Sequence, residues 1–300
     1  MSTDLVSLKP KAIYVIGAGR SGTTMLDILI GNSQEISSLG ELTRYFELSG
    51  IPRNKQEGTA KDKFWKEFQL KYEEKLGRAI DFEDFHQRHH RLEHPKQFLA
   101  NFFGFRSKYE LDQYQKEMEI FFEVLKKMTE TPHMIDSSKY APRALNLGRL
   151  KASENPIAYE LCFVYLRRDP VSVIRSFQKQ VKEQVSRHWL SANIYYFLIN
   201  LFCSLTLSRL KSKGYKTLKV RYEDYTQNPI QTLGKIEAAF EVDLTQTKSR
   251  IQNKEDLEIG HLFDGNRLRI KESIRLKKGN PVKCQGFVDY FSRVFNKIWY

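Results

Sequence analysis

The chain alternates short apolar runs with longer segments in which apolar residues recur every three or four positions. Short apolar runs are typical of buried strands, and the longer periodic segments are typical of amphipathic helices. We predict strands at 12–17, 133–136, 158–166 and 215–220. We predict helices at 23–31, 185–212, 231–240 and 287–299. Strands that alternate with helices predict an α/β fold with a central, mostly parallel sheet flanked by helices.

Residues 52–130 interrupt this alternation. They are rich in Lys, Glu, Phe and His, and their apolar residues are spaced as in helices at 64–68 and 118–125. We interpret this stretch as a helical insertion on the α/β core. Because 300 residues fit one large domain, we expect a single domain over 1–300 that carries the insertion.

The turn between the first strand and the first helix consists of small and polar residues. A loop of this kind at a helix N-terminus directs backbone N–H groups at an anion. Starting at Gly17, the sequence nearly matches the nucleotide-binding pattern G-x-x-x-x-G-K-[ST], but Thr23 replaces the lysine. The nearest cation is Arg20, before the second glycine. The loop therefore predicts an anion site without the lysine that reaches the terminal phosphates of ATP.

Polar clusters follow three of the predicted strands. Arg20 and its neighbours follow the first strand, Ser137 to Lys139 follow the second, and Arg167 to Asp169 follow the third. Ligands of parallel sheets bind beyond the carboxyl ends of the strands. We therefore expect these three clusters to converge on one site at the same edge of the sheet.

Basic residues exceed acidic ones by 49 to 36, which gives a net charge of +13 and favours anionic partners. The 3 cysteines are few and widely spaced, which argues against a disulfide framework and fits a reducing compartment. The longest apolar run, 195–207, is interrupted by polar residues. A spanning helix needs roughly 20 apolar residues, so we expect a buried helix here and no integral membrane segment.

In their order along the chain, these motifs resemble the sulfotransferases that use 3′-phosphoadenosine-5′-phosphosulfate (PAPS) as donor. The segment Gly19-Arg20-Ser21-Gly22-Thr23-Thr24 resembles the family's 5′-phosphosulfate loop. Arg168 and Ser176, eight positions apart, resemble its 3′-phosphate motif. Segments 136–139, 221–224 and 261–267 also look like segments of this superfamily. The resemblance runs from about 12 to 280 without 52–130, and it is closer to tyrosylprotein, carbohydrate and bacterial members than to the cytosolic phenol type.

This resemblance implies a P-loop-like sulfotransferase fold and PAPS as co-substrate, with no metal required. The residues it implies for donor binding are Gly19, Arg20, Ser21, Gly22, Thr23, Thr24, Arg168, Ser176, Asn266 and Arg267. Asn266 and Arg267 would help to hold the 3′-phosphate. Arg20 and Lys139 are our candidates to neutralise the charge that builds on the oxygen leaving with the 5′-phosphate.

The general base is expected to be Glu41, which resembles the catalytic glutamate of tyrosylprotein and carbohydrate-type members. Cytosolic small-molecule members use a histidine, so His133 remains an alternative. So does a cluster in a charged stretch that looks solvated: His86, His89, His90 and His94. Three of these, at 86, 90 and 94, share helical spacing that a zinc ion would also fit.

The acceptor that this resemblance implies is a hydroxyl or an amine on a small molecule, a carbohydrate or a peptide, and we expect the insertion to shape its pocket. A glutamate base favours carbohydrate, peptide or polar natural-product hydroxyls over simple phenols. Two other functions stay open: a P-loop-like kinase or NTPase, and a basic non-catalytic module that binds anions. We find no signature of a nucleic-acid-binding fold and expect no nucleic-acid partner.

No apolar leader segment is seen in 1–11, which predicts a soluble cytoplasmic protein. An excised lumenal domain would look the same, and the oligomeric state stays open. The C-terminal helix has an apolar face beside lysine and arginine, so peripheral membrane association is an alternative. We expect that face to pack onto the core instead.

Overall fold

A five-stranded parallel sheet forms the centre of the computed structural model, which describes residues 9–53, 57–150, 159–179 and 186–300. Its strands are β1 (Lys11–Gly17), β2 (Ile36–Ser38), β3 (His133–Lys139), β4 (Glu160–Arg167) and β5 (Lys216–Arg221). They lie in the order β2-β3-β1-β4-β5, and each neighbouring pair is parallel. The predicted α/β fold with its parallel sheet is confirmed.

Helices account for most of the other regular structure. Within the described ranges they are α1 (Thr23–Ile30), α2 (Ala60–Leu76), α3 (Phe82–Glu93), α4 (Phe98–Phe103), α5 (Lys108–Met128), α6 (Ala141–Leu147), α7 (Pro170–Gln178), α8 (Trp189–Ser212), α9 (Tyr222–Gln227), α10 (Pro229–Phe240), α11 (Thr245–Gln252) and α12 (Phe287–Phe295). Short 3-10 segments cover Leu42–Arg44, Pro95–Gln97, Arg267–Ile270 and Lys297–Trp299. Two further strands, β6 (Leu257–Glu258) and β7 (Ser273–Ile274), form an antiparallel pair.

β1 separates two hydrophobic cores because all of its residues are buried and its side chains alternate between the faces of the sheet. Ile13 and Val15 pack with residues of α1 and α10 on one face. Tyr14 and Ile16 pack with residues of α6 and α8 on the other. The chain passes from β1 to β2 and β3 on one side, then to β4 and β5 on the other. The loop after β1 therefore opens at the switch point where doubly wound sheets bind ligands.

The predicted helical insertion is present as α2, α3, α4 and α5. Its aromatic side chains surround Tyr45, whose ring lies 5.1 Å from Phe68 and 5.4 Å from Phe121, centroid to centroid. Tyr45, Trp65 and Phe68 are fully buried and belong to the same hydrophobic core as Tyr14 of the central strand. The insertion is thus packed directly onto one face of the α/β core.

A buried ionic network also ties the insertion to the sheet. The Arg143 guanidinium of α6 donates to the carboxylates of Glu93 in α3 and Asp136 in β3. Glu93 accepts further hydrogen bonds from the hydroxyls of Tyr114 at 2.8 Å and Thr43 at 2.7 Å. Burial raises the pKa of Glu93, but Arg143, His89 and the Thr43 hydroxyl outweigh it and lower the pKa to about 2. Glu93 is therefore ionised at neutral pH.

The strand expected at 133–136 is longer than predicted. β3 continues to Lys139, so Ser137 and Ser138, which we expected in a loop, lie in the strand. Pairing with β1 continues past an irregularity in the register, as far as the pair of Ile16 with Lys139. The Ser138 backbone N–H also donates to the Asp136 carboxylate at 2.9 Å, which holds this end of the strand in place.

α8 meets the length and composition of a membrane-crossing helix, with a mean hydropathy of 1.4 over its most apolar window. One face of α8 packs into the core, where Ala192, Tyr196 and Cys203 are fully buried, but Leu198 and other large apolar residues on the opposite face are exposed. The prediction of a buried helix is therefore only partly right, since 39 % of the window is buried. The prediction for the C-terminal helix is partly wrong, because Phe291 of α12 packs against Trp189 while Phe287 and other apolar residues of that face are exposed.

Candidate active site

The loop after β1 has the backbone of an anion-binding turn. Arg20 and Gly22 adopt positive φ angles of 68° and 94°, and α1 begins at Thr23. A side chain at Gly22 would collide with the ring of Tyr222, so only glycine fits. Within the described residues, the buried Ser21 hydroxyl has no hydrogen-bond partner. The loop thus combines free helix N-terminal N–H groups with a hydroxyl that a bound anion would satisfy.

Glu41 is held beside this loop by a buried carboxylate. Asp27 of α1 accepts hydrogen bonds from the Ser38 hydroxyl at 2.5 Å and from the Gly40 N–H at 3.1 Å. Burial raises the pKa of Asp27 to about 7, against the opposing effect of its hydrogen bonds. Gly40 has a φ of 75°, and the next N–H, of Glu41, donates to the Asp264 carbonyl at 3.1 Å. These bonds fix the direction of the Glu41 backbone.

Glu41 and Lys139 form an ion pair across the end of the sheet, with 2.5 Å between the Glu41 Oε1 and the Lys139 Nζ. Lys139 takes a positive φ of 73° at the end of β3, and its side chain is 20 % exposed against 12 % for Glu41. Two of the three predicted catalytic residues are therefore in contact. Both line a cleft of about 410 Å³ together with Arg20, the third.

The cleft is strongly basic. The residues that line it include Gly19, Gly22, Thr23, Thr24, Arg44, Arg53, Tyr140, Arg187, Asn266, Arg267 and Arg269. Its acidic residues are Glu41 and Asp264, and Asp264 is paired with Arg44 at 3.4 Å and with Arg53 at 3.6 Å. Such a lining attracts a polyanionic ligand.

Arg168 lies next to the loop after β1, so the polar clusters that follow β1 and β4 meet at the C-terminal ends of the strands, as predicted. Its Nη1 donates to the Arg20 carbonyl at 3.0 Å, and its guanidinium stacks on the Tyr222 ring at 3.9 Å from the centroid. Its buried Nε has no hydrogen-bond partner among the described residues. Arg168 and Ser176 line a common, open pocket of about 440 Å³ with Ser172, Arg175 and Lys179.

Asn266 and Arg267 lie elsewhere. The Asn266 N–H donates to the Thr24 hydroxyl at 3.1 Å, so the segment closes over the start of α1. Both residues line the cleft with Arg20 rather than the pocket with Arg168 and Ser176. The structure thus groups them with the loop after β1, and their predicted contact with a 3′-phosphate stays a prediction.

The candidate histidines do not line the cleft that holds Arg20, as a histidine general base would require. His89, expected in a solvated stretch, is buried between Glu117 at 3.1 Å and Glu93 at 3.3 Å, so that expectation is wrong. Burial lowers the pKa of His89, but these two carboxylates outweigh it and raise the pKa. His133 is the first residue of β3, and its Nδ1 accepts from the Lys11 N–H at 3.1 Å. It lies at the N-terminal end of the strand, whereas Glu41 contacts Lys139 at the C-terminal end.

His86, His90 and His94 follow one another along α3 and its end, with ring centroids 5.8 Å and 4.4 Å apart. They line a separate cavity of about 230 Å³ with Arg44 and Tyr140. In the ranges that the structure describes, no group of three or more His, Cys, Asp or Glu residues has the arrangement to hold a metal ion.

Several site residues were not predicted from the sequence. Asp27 had a signal, an acidic residue within an otherwise apolar helical segment. Tyr195 had none: its hydroxyl accepts a hydrogen bond from the Gly19 N–H at 3.4 Å, although it lies in a run of apolar residues. Arg44, Arg53 and Arg187 enter the cleft from segments that carry no recognisable motif.

The sequence matches the model of the Sulfotransferase family over residues 10–246, which is more than half of the chain. The curated proteins include no significant match.

Several solved structures are similar to this chain. The sulfotransferase domain from the curacin biosynthetic pathway is 18 % identical, with a TM-score of 0.47 over 89 % of this chain and 84 % of that one. The sulfotransferase domain of the Synechococcus PCC 7002 olefin synthase is 15 % identical, with a TM-score of 0.45 over 97 % and 96 %. A sulfotransferase from Mycobacterium avium is 12 % identical, with a TM-score of 0.46 over 82 % and 67 %.

Proposed function

The chain belongs to the sulfotransferase family, and from this premise we propose that it transfers a sulfuryl group from PAPS to a hydroxyl or amine acceptor. The observation that carries the proposal is the contact of Glu41 with Lys139 beside the loop after β1. A base candidate, a cation and an anion-binding turn then share one cleft with Arg20.

The residues present fit a donor with phosphate and sulfate groups. We propose that the N–H groups of Gly22 to Thr24 and the unpartnered Ser21 hydroxyl bind the 5′-phosphosulfate, whereas the Ser21 N–H donates to the Ala18 carbonyl at 3.2 Å. Arg168 and Ser176 would bind the 3′-phosphate, since a guanidinium and a hydroxyl on one pocket wall suit a phosphate. Asn266 and Arg267 line the cleft, where they would close over the donor and help to hold its phosphate groups.

When bound, PAPS supplies the sulfuryl group: the acceptor atom bonds to sulfur, the bond from sulfur to the 5′-phosphate oxygen breaks, and that oxygen keeps the electron pair. Arg20 and Lys139 stabilise the charge on this oxygen. Glu41 takes the proton that the acceptor loses on attack, and Lys139 holds its carboxylate in position. We propose no metal, because this chain's own cations neutralise the leaving group.

The protein is a transferase by its family, and PAPS dependence is our proposal. A cytoplasmic location is also proposed, with support from the core contacts of α8 and from the free state of the three cysteines. The kinase alternative has little support, since Thr23 occupies the place of the lysine that contacts the β- and γ-phosphates of ATP.

A calorimetric comparison tests the proposal: 3′-phosphoadenosine-5′-phosphate against ATP with Mg²⁺, on the full chain, followed by turnover of PAPS with mixed acceptors. We expect metal-free binding of the bisphosphate, no comparable binding of ATP–Mg²⁺, and transfer of sulfate. Lys139→Met is expected to slow transfer by roughly 100-fold or more, the scale of one lost transition-state contact. The exposed Lys63 on α2 provides a matched control as Lys63→Met. Binding of ATP–Mg²⁺ alone would contradict the proposal.

A further inference from the structure

A second, smaller cavity of about 160 Å³ adjoins the cleft at the proposed catalytic groups. The two share Gly19, Glu41, Lys139 and Tyr140. This cavity, which we call the apolar pocket, is completed by Gly17, Pro95, Ala141, Pro142, Tyr195, Ile199 and Phe202. A molecule in the apolar pocket therefore meets Glu41 and Lys139, while no arginine of the cleft lines this pocket.

The lining of the apolar pocket differs from that of the cleft. Apart from the Glu41–Lys139 ion pair at one end, it consists of aliphatic, proline, glycine and aromatic residues. The Tyr195 hydroxyl accepts from the Gly19 N–H, which leaves its own O–H as a single donor for the pocket. Because no unpaired cation lines it, a carboxylate, phosphate or sulfate on the acceptor would be buried without a partner. Additional sugar hydroxyls would meet the same penalty.

The walls of the apolar pocket are held firmly. Ile199 and Phe202 lie on α8, and the Phe202 ring stacks on Phe98 of the insertion with centroids 4.1 Å apart. Tyr140 and Ala141 lie at the start of α6. An apolar cavity of about 150 Å³ in another protein holds one benzene molecule, so this pocket has room for about one ring or a short branched chain.

The histidine-lined cavity is the competing place for the acceptor. It touches Arg44 and Tyr140, but neither Glu41 nor Lys139 lines it. An acceptor bound there has no direct access to the proposed base. Of these two cavities, the apolar pocket is the one lined by Glu41 and Lys139.

We propose that the apolar pocket binds the acceptor, and that the acceptor is an uncharged alcohol or phenol whose carbon body is about the size of one ring. This rests on the proposed sulfuryl transfer. The acceptor oxygen forms the new bond to sulfur, its proton goes to Glu41, and the 5′-phosphate oxygen leaves with the electron pair of the broken bond.

The test compares two tryptophan substitutions on α8. Ile199→Trp fills the apolar pocket, whereas Leu198→Trp alters the outer face of the same helix, where Leu198 is 41 % exposed. The acceptors are benzyl alcohol, cyclohexanol and phenol, against glucose, 4-hydroxybenzoate and a tyrosine peptide. Acceptor binding is also measured by calorimetry in the presence of 3′-phosphoadenosine-5′-phosphate, a readout that does not depend on turnover.

We expect the wild type to sulfate the neutral alcohols and phenol in preference to the other three compounds. Ile199→Trp should raise the KM for benzyl alcohol and weaken its calorimetric binding by about 10-fold or more, the scale of a methylene-sized change in a pocket. Binding of the bisphosphate should stay unchanged in both variants. Ile199→Ala, which keeps a helix-forming residue, should accept larger alcohols such as 2-naphthol better than the wild type does.

If the protein transfers sulfate to glucose or the peptide, and Ile199→Trp leaves that transfer unchanged, the acceptor proposal is overturned. The proposed function would still stand. Binding of the bisphosphate with no transfer to any neutral alcohol or phenol would also overturn it and leave the donor site standing. Failure to bind the bisphosphate at all would overturn the proposed function, and the acceptor proposal with it.

Discussion

The Nη1 atom of Arg168 donates a hydrogen bond of 3.0 Å to the carbonyl oxygen of Arg20. Arg168 follows β4 and Arg20 follows β1, and these two strands are neighbours in the sheet. The guanidinium is also held by stacking on the Tyr222 ring. One side chain therefore fixes the loop proposed for the 5′-phosphosulfate and also lines the pocket proposed for the 3′-phosphate.

Arg168→Ala should weaken binding of 3′-phosphoadenosine-5′-phosphate by roughly 10- to 100-fold, the loss expected for charge-assisted hydrogen bonds. Arg168→Lys should restore little, because an ammonium has no planar fork to stack on Tyr222 and bind phosphate. Isothermal titration calorimetry measures both.

Arg167 is the matched control for Arg168. It is adjacent in sequence, but its Nη1 contacts the Trp299 carbonyl and it lines neither the cleft nor the pocket of Ser176. Arg167→Ala should leave the affinity within about twofold. A large loss for Arg167→Ala with none for Arg168→Ala would exchange the roles of the two arginines.

Glu41→Gln should lower kcat by about 10²- to 10⁴-fold, because a general base contributes that much and an amide cannot take the proton. Binding of the bisphosphate should be retained, since Glu41 is proposed to act on the acceptor. The comparison is steady-state transfer from PAPS, with calorimetry of the same preparations.

Glu47→Gln controls for the loss of a negative charge near the cleft. Glu47 pairs with Arg44 at 2.5 Å and does not line the cleft that holds Glu41. Its replacement should change kcat by less than about threefold, because a surface ion pair contributes little free energy. Equal losses in both variants would mean that charge, and not proton transfer, accounts for the effect.

Asp27 makes the stability of the protein depend on pH. In the unfolded chain this carboxyl ionises near its ordinary pKa of 3.8, but in the fold burial raises the pKa to about 7. Between these values the folded state binds more protons than the unfolded state, so the contribution of Asp27 to stability falls as pH rises. Above about 7 that loss is complete.

Asp27→Asn removes this titration. The melting temperature of the wild type minus that of Asp27→Asn should therefore decrease from pH 5 to pH 8, as measured by differential scanning calorimetry. An amide oxygen at this position can still accept the Gly40 N–H next to Glu41, so the variant should keep its transfer activity near pH 5, where the wild-type carboxyl is protonated too. A melting difference that is constant with pH would contradict the raised pKa.

Local motifs and periodicity were enough to predict the sheet, the loop after β1 and the segments that carry Arg20, Lys139 and Arg168. These features depend on short sequence windows, and the parallel topology brings their strand ends together. The pairing partner of Glu41 could be found only in three dimensions, because Lys139 lies 98 positions away (139 minus 41) and no local pattern links them.

The insertion shows where sequence reasoning fails. The charged residues Arg88, His89 and Glu93 look like a solvated helix face, yet all are buried because partners from α5 and α6 reach them. Burial of a charge depends on its partner, and here the partners lie tens of residues away in sequence. The apolar pocket likewise combines Pro95 with residues of α6 and α8, which no single segment reveals.

The buried pair of Arg143 and Glu93 leads to a prediction on stability. Each side chain is 2 % exposed, and Arg143 also contacts Asp136. Arg143→Met leaves buried carboxylates without their cation and should lower the free energy of unfolding by about 3–5 kcal/mol. Glu93→Gln should cost a similar amount, because Arg143, Tyr114 and Thr43 lose an ionised acceptor. Urea denaturation followed by circular dichroism measures both.

The double variant Arg143→Met/Glu93→Leu separates pairing from packing. It should be more stable than Arg143→Met alone, since a buried ion pair replaced as a whole costs less than one broken on one side.

The pKa of Glu93, lowered to about 2 against an ordinary 4.5, gives a second signature. Its contribution to stability is fully present above about 4.5 and is lost as pH falls toward 2. Wild type and double variant should therefore converge in stability over that acid range, and additive losses without convergence would contradict a coupled pair.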